Sequence, residues 1–140
     1  MTPERLFSIV NPIALVGWIL LIALPRRRWA VIAAAWAIPG LLAVAYIAVV
    51  ATHLVGSPGG FSSLPAVATL FANPWLLVAG WMHYLAFDLV VGSWEARDAR
   101  EHGVPHLALV PCLVLTFLFG PAGWLLYLLA RRVVGDAARG

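Results

Sequence analysis

Long apolar runs separated by short polar clusters set the pattern of this chain. The first run, residues 6–24, reads "LFSIVNPIALVGWILLIAL" and stops at Pro25 and the cluster Arg26, Arg27 and Arg28. At 1.5 Å per residue it covers about 28 Å as a helix, enough for the hydrocarbon core of a bilayer. Within it Pro12 withholds a backbone donor, and Asn11 can hydrogen-bond a freed carbonyl or a neighbouring helix. The second run, 29–53, carries Pro39 and Gly40, which predict a kink. A Gly/Ser/Pro-rich loop, "HLVGSPGGFSSL", follows. Next is "PAVATLFA", too short to span and read as an interfacial or re-entrant turn.

Asn73 and Pro74 predict an N-cap followed by proline at the first helical position. The helix they start has an apolar part over 74–94 and a solvated extension to 101. Trp75 and Trp94 bracket the apolar part about 28 Å apart, matching a pair of interfacial belts. Past Trp94 the chain turns polar, "EARDAREH", and Gly103 and Pro105 end the helix. The last run, 106–130, is interrupted by Pro111 and by Gly120 and Pro121. It is expected as one kinked span, the alternative being two half-helices of the kind that line enclosed cavities. The pattern predicts an all-α, integral membrane four-helix bundle, kinked at Pro39 and at Gly120 and Pro121. It occupies a single domain, 1–140, with no internal repeat.

Composition strengthens the class. The chain is 63% hydrophobic and 11% charged, with mean hydropathy +0.94. A soluble domain of 140 residues has too much surface to hide that much apolar area. All 9 basic residues are Arg, and they sit at run ends, where they read as topology signals rather than nucleic-acid contacts. The first run, with no small-residue cleavage site after it, reads as a retained span. Cys112 is alone, so no intramolecular disulfide forms. With four spans, Arg26, Arg27, Arg28, Arg97 and Arg100 face one side, and Arg5, Arg131, Arg132 and Arg139 the other. That near-tie leans towards a cytoplasmic Arg26–Arg28 loop. The Pro/Ala/Arg-rich composition points to a multi-pass protein of a bacterial cytoplasmic (inner) membrane.

Against this background the stretch "GWMHYLAFDLVVGSW" places His83 and Asp88 at hydrocarbon depth. A carboxylate there costs about 2.5–3.5 kcal/mol on insertion scales, and such groups face the bundle interior. Asp88 is therefore the strongest functional signal, set against a carboxyl that merely holds helices together. At 100° per residue, His83 and Asp88 stand about 140° apart around one helix, too far to chelate one ion. Glu95 and Trp81 return to within about 20° of the Asp88 face, giving a Trp81–Asp88–Glu95 stripe with Tyr84 beside it. Glu95 also reads simply as the first solvated residue. His83 groups with Phe87, Val90 and Trp94, either as a helix-to-helix hydrogen-bonding group or as a proton acceptor. His53 and His106 fall at run ends. No HxxH, ExxH or CxxC spacing occurs, so neither a metal nor another cofactor is expected.

Three stretches carry a family resemblance: "SIVNPIAL", "ANPWLLVAGWMHYLAFDLVVG" and "PHLALVPCLVLTFLFGPAGWLLYLL". They resemble the abscisic-acid-deficient-four-like family, small multi-span proteins whose plant members act as neoxanthin synthases in plastid membranes. The most specific matches are Trp81, His83, Leu85, Ala86, Asp88 and Leu89, and the later Phe119, Gly120, Pro121 and Gly123. Asn11 matches the polar residue of the family's first segment. Ser93 departs from the pattern, since members often carry a basic residue there; Arg97 lies one turn further along.

The resemblance implies chemistry on a long apolar isoprenoid. An epoxide end group is protonated and opened while a proton leaves the neighbouring chain carbon, giving an allene without any redox cofactor. Asp88 as acid and His83 as base, with Glu95 beside them, fit those roles. Asn11, Trp81, Tyr84, Phe87, Trp94 and His106 are the expected ligand contacts. The expected function is thus a membrane protein acting on or binding a carotenoid-like lipid, an isomerase resembling neoxanthin synthase, with a homo-oligomer also open. The rival readings are a non-enzymatic carotenoid- or lipid-binding accessory subunit, a small transporter or channel, and a haem-binding membrane protein.

Overall fold

The computed structural model describes residues 1–25 and 27–137. These form six helices and no strand: α1 Pro3–Ala23, α2 Arg28–His53, α3 Leu64–Phe71, α4 Pro74–Glu101, α5 His106–Phe119 and α6 Pro121–Ala137. Only α1, α2 and α4 are long and apolar enough to cross a membrane. Arg26 and Arg139 of the charge tally lie outside the described residues.

Capping chemistry sets the helix starts. Thr2 Oγ1 accepts from Arg5 N, Ser63 Oγ from Ala66 N, and Asn73 Oδ1 from Trp75 N, each followed within two residues by proline. The Asn73–Pro74 start read from the sequence is the observed one. At Pro39 the expected kink takes the form of a π-helical turn over Ala33–Ala37. Proline has no N–H to give, and its ring would strike the Ala35 carbonyl in a regular α turn, so the wider turn accommodates both defects.

α1 and α4 run parallel and pack directly together, and α2 runs antiparallel against them. Trp81 reaches Asn11 near their starts, and Arg100 reaches the Pro25 carbonyl near their ends. Tyr46 and His53 of α2 meet His83 and Trp75 of α4 in the reverse order. Two glycines let α1 and α4 approach closely. A β-carbon on Gly17 would lie 2.5 Å from Leu89 Cδ2, and one on Gly92 would lie 2.5 Å from the Trp18 ring. Leu89 and Trp18, both buried, fill those notches.

The last apolar run departs from the expected single kinked span. The helix breaks at Gly120, with φ +46° and ψ −98°, outside the reach of other L-residues. The chain then folds back on itself as a helical hairpin. A β-carbon on Gly123 would fall into the Thr116 backbone, so α5 and α6 touch directly beyond the turn. α5 descends along α4 from the level of Ala99, where Val104 N donates to the Ala99 carbonyl, to a tip at Asp88, near the midpoint of α4. α6 climbs back, bringing Tyr127 and Arg131 to Asp98. The expected four-helix bundle is therefore three span-length helices, a half-length hairpin and one short helix.

Candidate functional site

The hairpin divides the polar residues of α4 into two groups. At its base Asp98 is held by three partners. Tyr127 donates its hydroxyl to Oδ2, and Arg131 Nη1 donates to Oδ1 at 3.1 Å. His102 Nδ1 lies 3.4 Å from the same oxygen. Arg131 Nη2 also donates to His102 Nε2 at 2.7 Å, which leaves the ring proton on Nδ1, donated to the Asp98 main-chain carbonyl at 2.9 Å. Asp98, Glu101 and His102 converge closely enough to share a cation. The Arg131 guanidinium already occupies two of them, so this is an ion-pair knot joining α4 to α6.

Glu95 is completely buried rather than solvated. Docking of α5 covers it, and Thr116 Oγ1 donates to its carboxyl, at 2.9 Å from Oε1 and 3.2 Å from Oε2. Glu95 thus stands inside the hairpin interface with its need for a donor met. Trp94, expected at a ligand, packs edge-on against Tyr127 at 5.7 Å in the same interface. His106 donates Nε2–H to the Ile22 carbonyl, tying the start of α5 to the end of α1.

Beyond the hairpin tip the other group lies open. Asp88 is half-buried and abuts Gly120, whose added β-carbon would lie 3.0 Å from Oδ1. Its Oδ2 is shut off from solvent and has no hydrogen-bond partner among the described residues. One turn earlier, Tyr84 donates its hydroxyl to the Phe117 carbonyl at 3.0 Å, pinning the tip to α4. The Tyr84 and Trp81 rings lie 5.2 Å apart, and Phe7 of α1 closes on Trp81 at 5.7 Å. The Trp81 indole donates to Asn11 Oδ1 at 2.9 Å, while Asn11 Nδ2 donates to the Phe7 carbonyl. Asn11 thus serves both its own helix and its neighbour. Because the hairpin ends at Asp88, it leaves the earlier half of this α4 face uncovered: Leu77 and Trp81 there, and Phe7 on α1, stay exposed. A groove of about 420 Å³ runs there between the starts of α1 and α4, with Trp81 at its edge.

Asn11, Trp81, Tyr84 and Asp88 are brought together. His83 and Phe87 are not with them: they stack on each other at 4.7 Å on the α2 side of α4, where His83 meets Tyr46 at 5.9 Å. His83 is exposed there. The two faces follow from the five-residue gap between His83 and Asp88. Sequence reasoning missed Asp98, Tyr127 and Arg131. The spacing Asp98–His102 and Tyr127–Arg131, four residues in each case, was the signal available.

The arrangement offers a half-buried carboxyl with one unpartnered oxygen next to Tyr84, about two helical turns beyond Trp81, the last α4 residue that lines the apolar groove. Such a carboxyl can give a proton to an apolar guest and take one back. The family model described as ABA DEFICIENT 4-like matches residues 5–127. No curated protein and no solved structure matches the chain.

Proposed function

Since the chain belongs to the ABA DEFICIENT 4-like family, we propose that it is a multi-pass membrane protein whose Asp88 works on the end group of a carotenoid-like isoprenoid. Family membership supports a membrane protein of neoxanthin-synthase-like type, and three span-length helices agree with it. In a bilayer α1, α2 and α4 cross, and α5 and α6 enter as a re-entrant hairpin that reaches mid-depth. At the hairpin tip Tyr84 of α4 donates to the Phe117 carbonyl and Gly120 N donates to the Thr116 carbonyl, the kind of backbone satisfaction such a structure requires in hydrocarbon.

This topology also favours one orientation. With both hairpin ends on one side, Arg27, Arg28, Arg97, Arg100, Arg131 and Arg132 share a face, and among the described residues Arg5 is the one arginine opposite. Six against one supports a cytoplasmic location for the Arg27 side, in the inner membrane of a bacterium.

In the proposed reaction the isoprenoid lies along the groove from the lipid, with its epoxide ring under the hairpin tip. Asp88 as the acid protonates the ring oxygen, and the C–O bond breaks to leave a carbocation. The Asp88 carboxylate then removes a proton from the adjoining chain carbon, whose C–H electrons close the allene. The proton given equals the proton taken, so one carboxyl serves as acid and base and no redox partner is needed. Trp81 and Tyr84 present ring faces that stabilise the passing cation. His83, the base expected from the sequence, opens on the other side of α4, and Glu95 is engaged by Thr116. Neither is required.

The observation that carries this reading is the unpartnered, buried Asp88 oxygen on the α4 face that, two turns earlier at Trp81, edges an apolar groove. Expression in a host that makes epoxycarotenoids, followed by pigment profiling, tests it. An allenic product isomeric with the epoxide is expected; an unchanged profile across epoxy- and hydroxycarotenoids would overturn it. The exposed aromatics Phe7 and Trp81 in the groove also suit simple binding, and pigment retained unaltered by the purified protein would favour that accessory role.

A further inference from the structure

On the opposite side of α4 a second groove, of about 310 Å³, runs between α4 and the π-helical part of α2. Its middle is apolar, with Trp36 and Phe87 exposed at 71% and 61%. Ala43 and Gly40 form the α2 wall. Towards the arginine-rich end of α4 its lining turns polar, at Ser93 and then Arg97. Ser93 is 2% exposed, and its hydroxyl has no hydrogen-bond partner among the described residues. A buried hydroxyl left alone forfeits about 1–3 kcal/mol, which a ligand oxygen would restore. Arg97 is exposed and makes no ion pair with any described residue.

The order of these groups matches a lipid lying along the helix: apolar chain at Trp36 and Phe87, then a hydroxyl, then a guanidinium at the depth of headgroups. A guanidinium binds phosphate through paired N–H donors, and cationic rims draw anionic lipid. We infer that this groove is a specific site for an anionic phospholipid, its phosphate on Arg97 and Ser93 and one acyl chain over Phe87 and Trp36. It rests on the bilayer placement but not on the chemistry at Asp88, whose groove lies on the other face.

The test is native mass spectrometry of the full-length protein released from phosphatidylcholine nanodiscs containing phosphatidylglycerol. One phosphatidylglycerol should stay bound in preference to phosphatidylcholine. Arg97→Gln should weaken retention about tenfold, the loss of one charge-assisted phosphate contact. Arg132→Gln, which removes a charge from the same face but outside the groove, should leave it unchanged. Gly40→Trp should abolish retention by filling the groove, because a β-carbon at Gly40 meets nothing within 4 Å and so starts the side chain in open space. Equal retention of both lipids, or equal effects of Arg97→Gln and Arg132→Gln, would overturn the site. Membrane sedimentation of the same preparations is read beside it: protein that fails to sediment with membranes contradicts the bilayer placement instead.

Discussion

The base and the tip of the α5–α6 hairpin meet the same helix, yet they treat its acids differently. At the base Asp98 takes hydrogen bonds from Tyr127 and Arg131, and just inside it Glu95 takes one from Thr116. At the tip Asp88 keeps an oxygen that is out of water and unpartnered. All three carboxyls lie within eleven residues of one another on α4. What separates them is whether the returning chain supplies donors. Residues at the base have the partners that hold a fold together, since a buried charge without one is costly. Asp88 receives no donor from the described residues of the hairpin and its Oδ2 stays unmet, and an unmet need maintained in a native site is where a ligand is expected. Polarity in an apolar helix identifies both kinds of group; partner accounting separates them.

The sharpest way to break the comparison is to remove the hairpin from the account. A reporter fused after Gly140 should lie on the same side of the membrane as one inserted after Arg28; a spanning last segment would put it opposite, an all-or-none result. The next largest effect is expected at the base. Asp98→Asn leaves the Arg131 charge unpaired and should lower unfolding stability by about 3 kcal/mol, the low end for a broken buried pair because Arg131 remains a third exposed. Unfolding in mixed micelles measures it. At the turn, Gly120→Ala forces an L-residue to φ +46° and drives a methyl against Asp88, so a loss of about 1–2 kcal/mol is expected in the same assay. Smallest is Glu95→Gln, which keeps an acceptor for Thr116 and should change stability by less than about 1 kcal/mol and leave pigment conversion intact. Abolished conversion in a folded Glu95→Gln protein would move the reacting group into the hairpin.

Much of this was legible from the residues. The Asn73 cap and Pro74 mark the start of α4, and the spacing of His83 and Asp88 puts them on different faces. Asn11 met the neighbouring helix, through Trp81, while its amide donates to the Phe7 carbonyl rather than to the Ser8 carbonyl that Pro12 frees. The hairpin was not legible as such. Residues 106–130 have a span's length and hydropathy, and the dihedral that folds Gly120 back cannot be told from one that only kinks it. Two misreadings follow from that one. Glu95 looks solvated because "EARDAREH" follows it, but the docked α5 buries it. The arginines look balanced between faces because a fourth span would carry Arg131 and Arg132 across, whereas the hairpin returns them.

Asp88→Asn is the most direct test of the central claim, because it removes the proton-exchanging carboxyl and keeps its shape. Among the described residues no hydrogen bond joins the Asp88 carboxyl to the hairpin, which Tyr84 pins instead, so the variant should insert and unfold like the parent, within about 0.5 kcal/mol. In an epoxycarotenoid-producing host it should form no allenic product. A variant with undiminished conversion would contradict the assignment of Asp88; lost conversion accompanied by a collapsed fold would contradict the separation of tip from base.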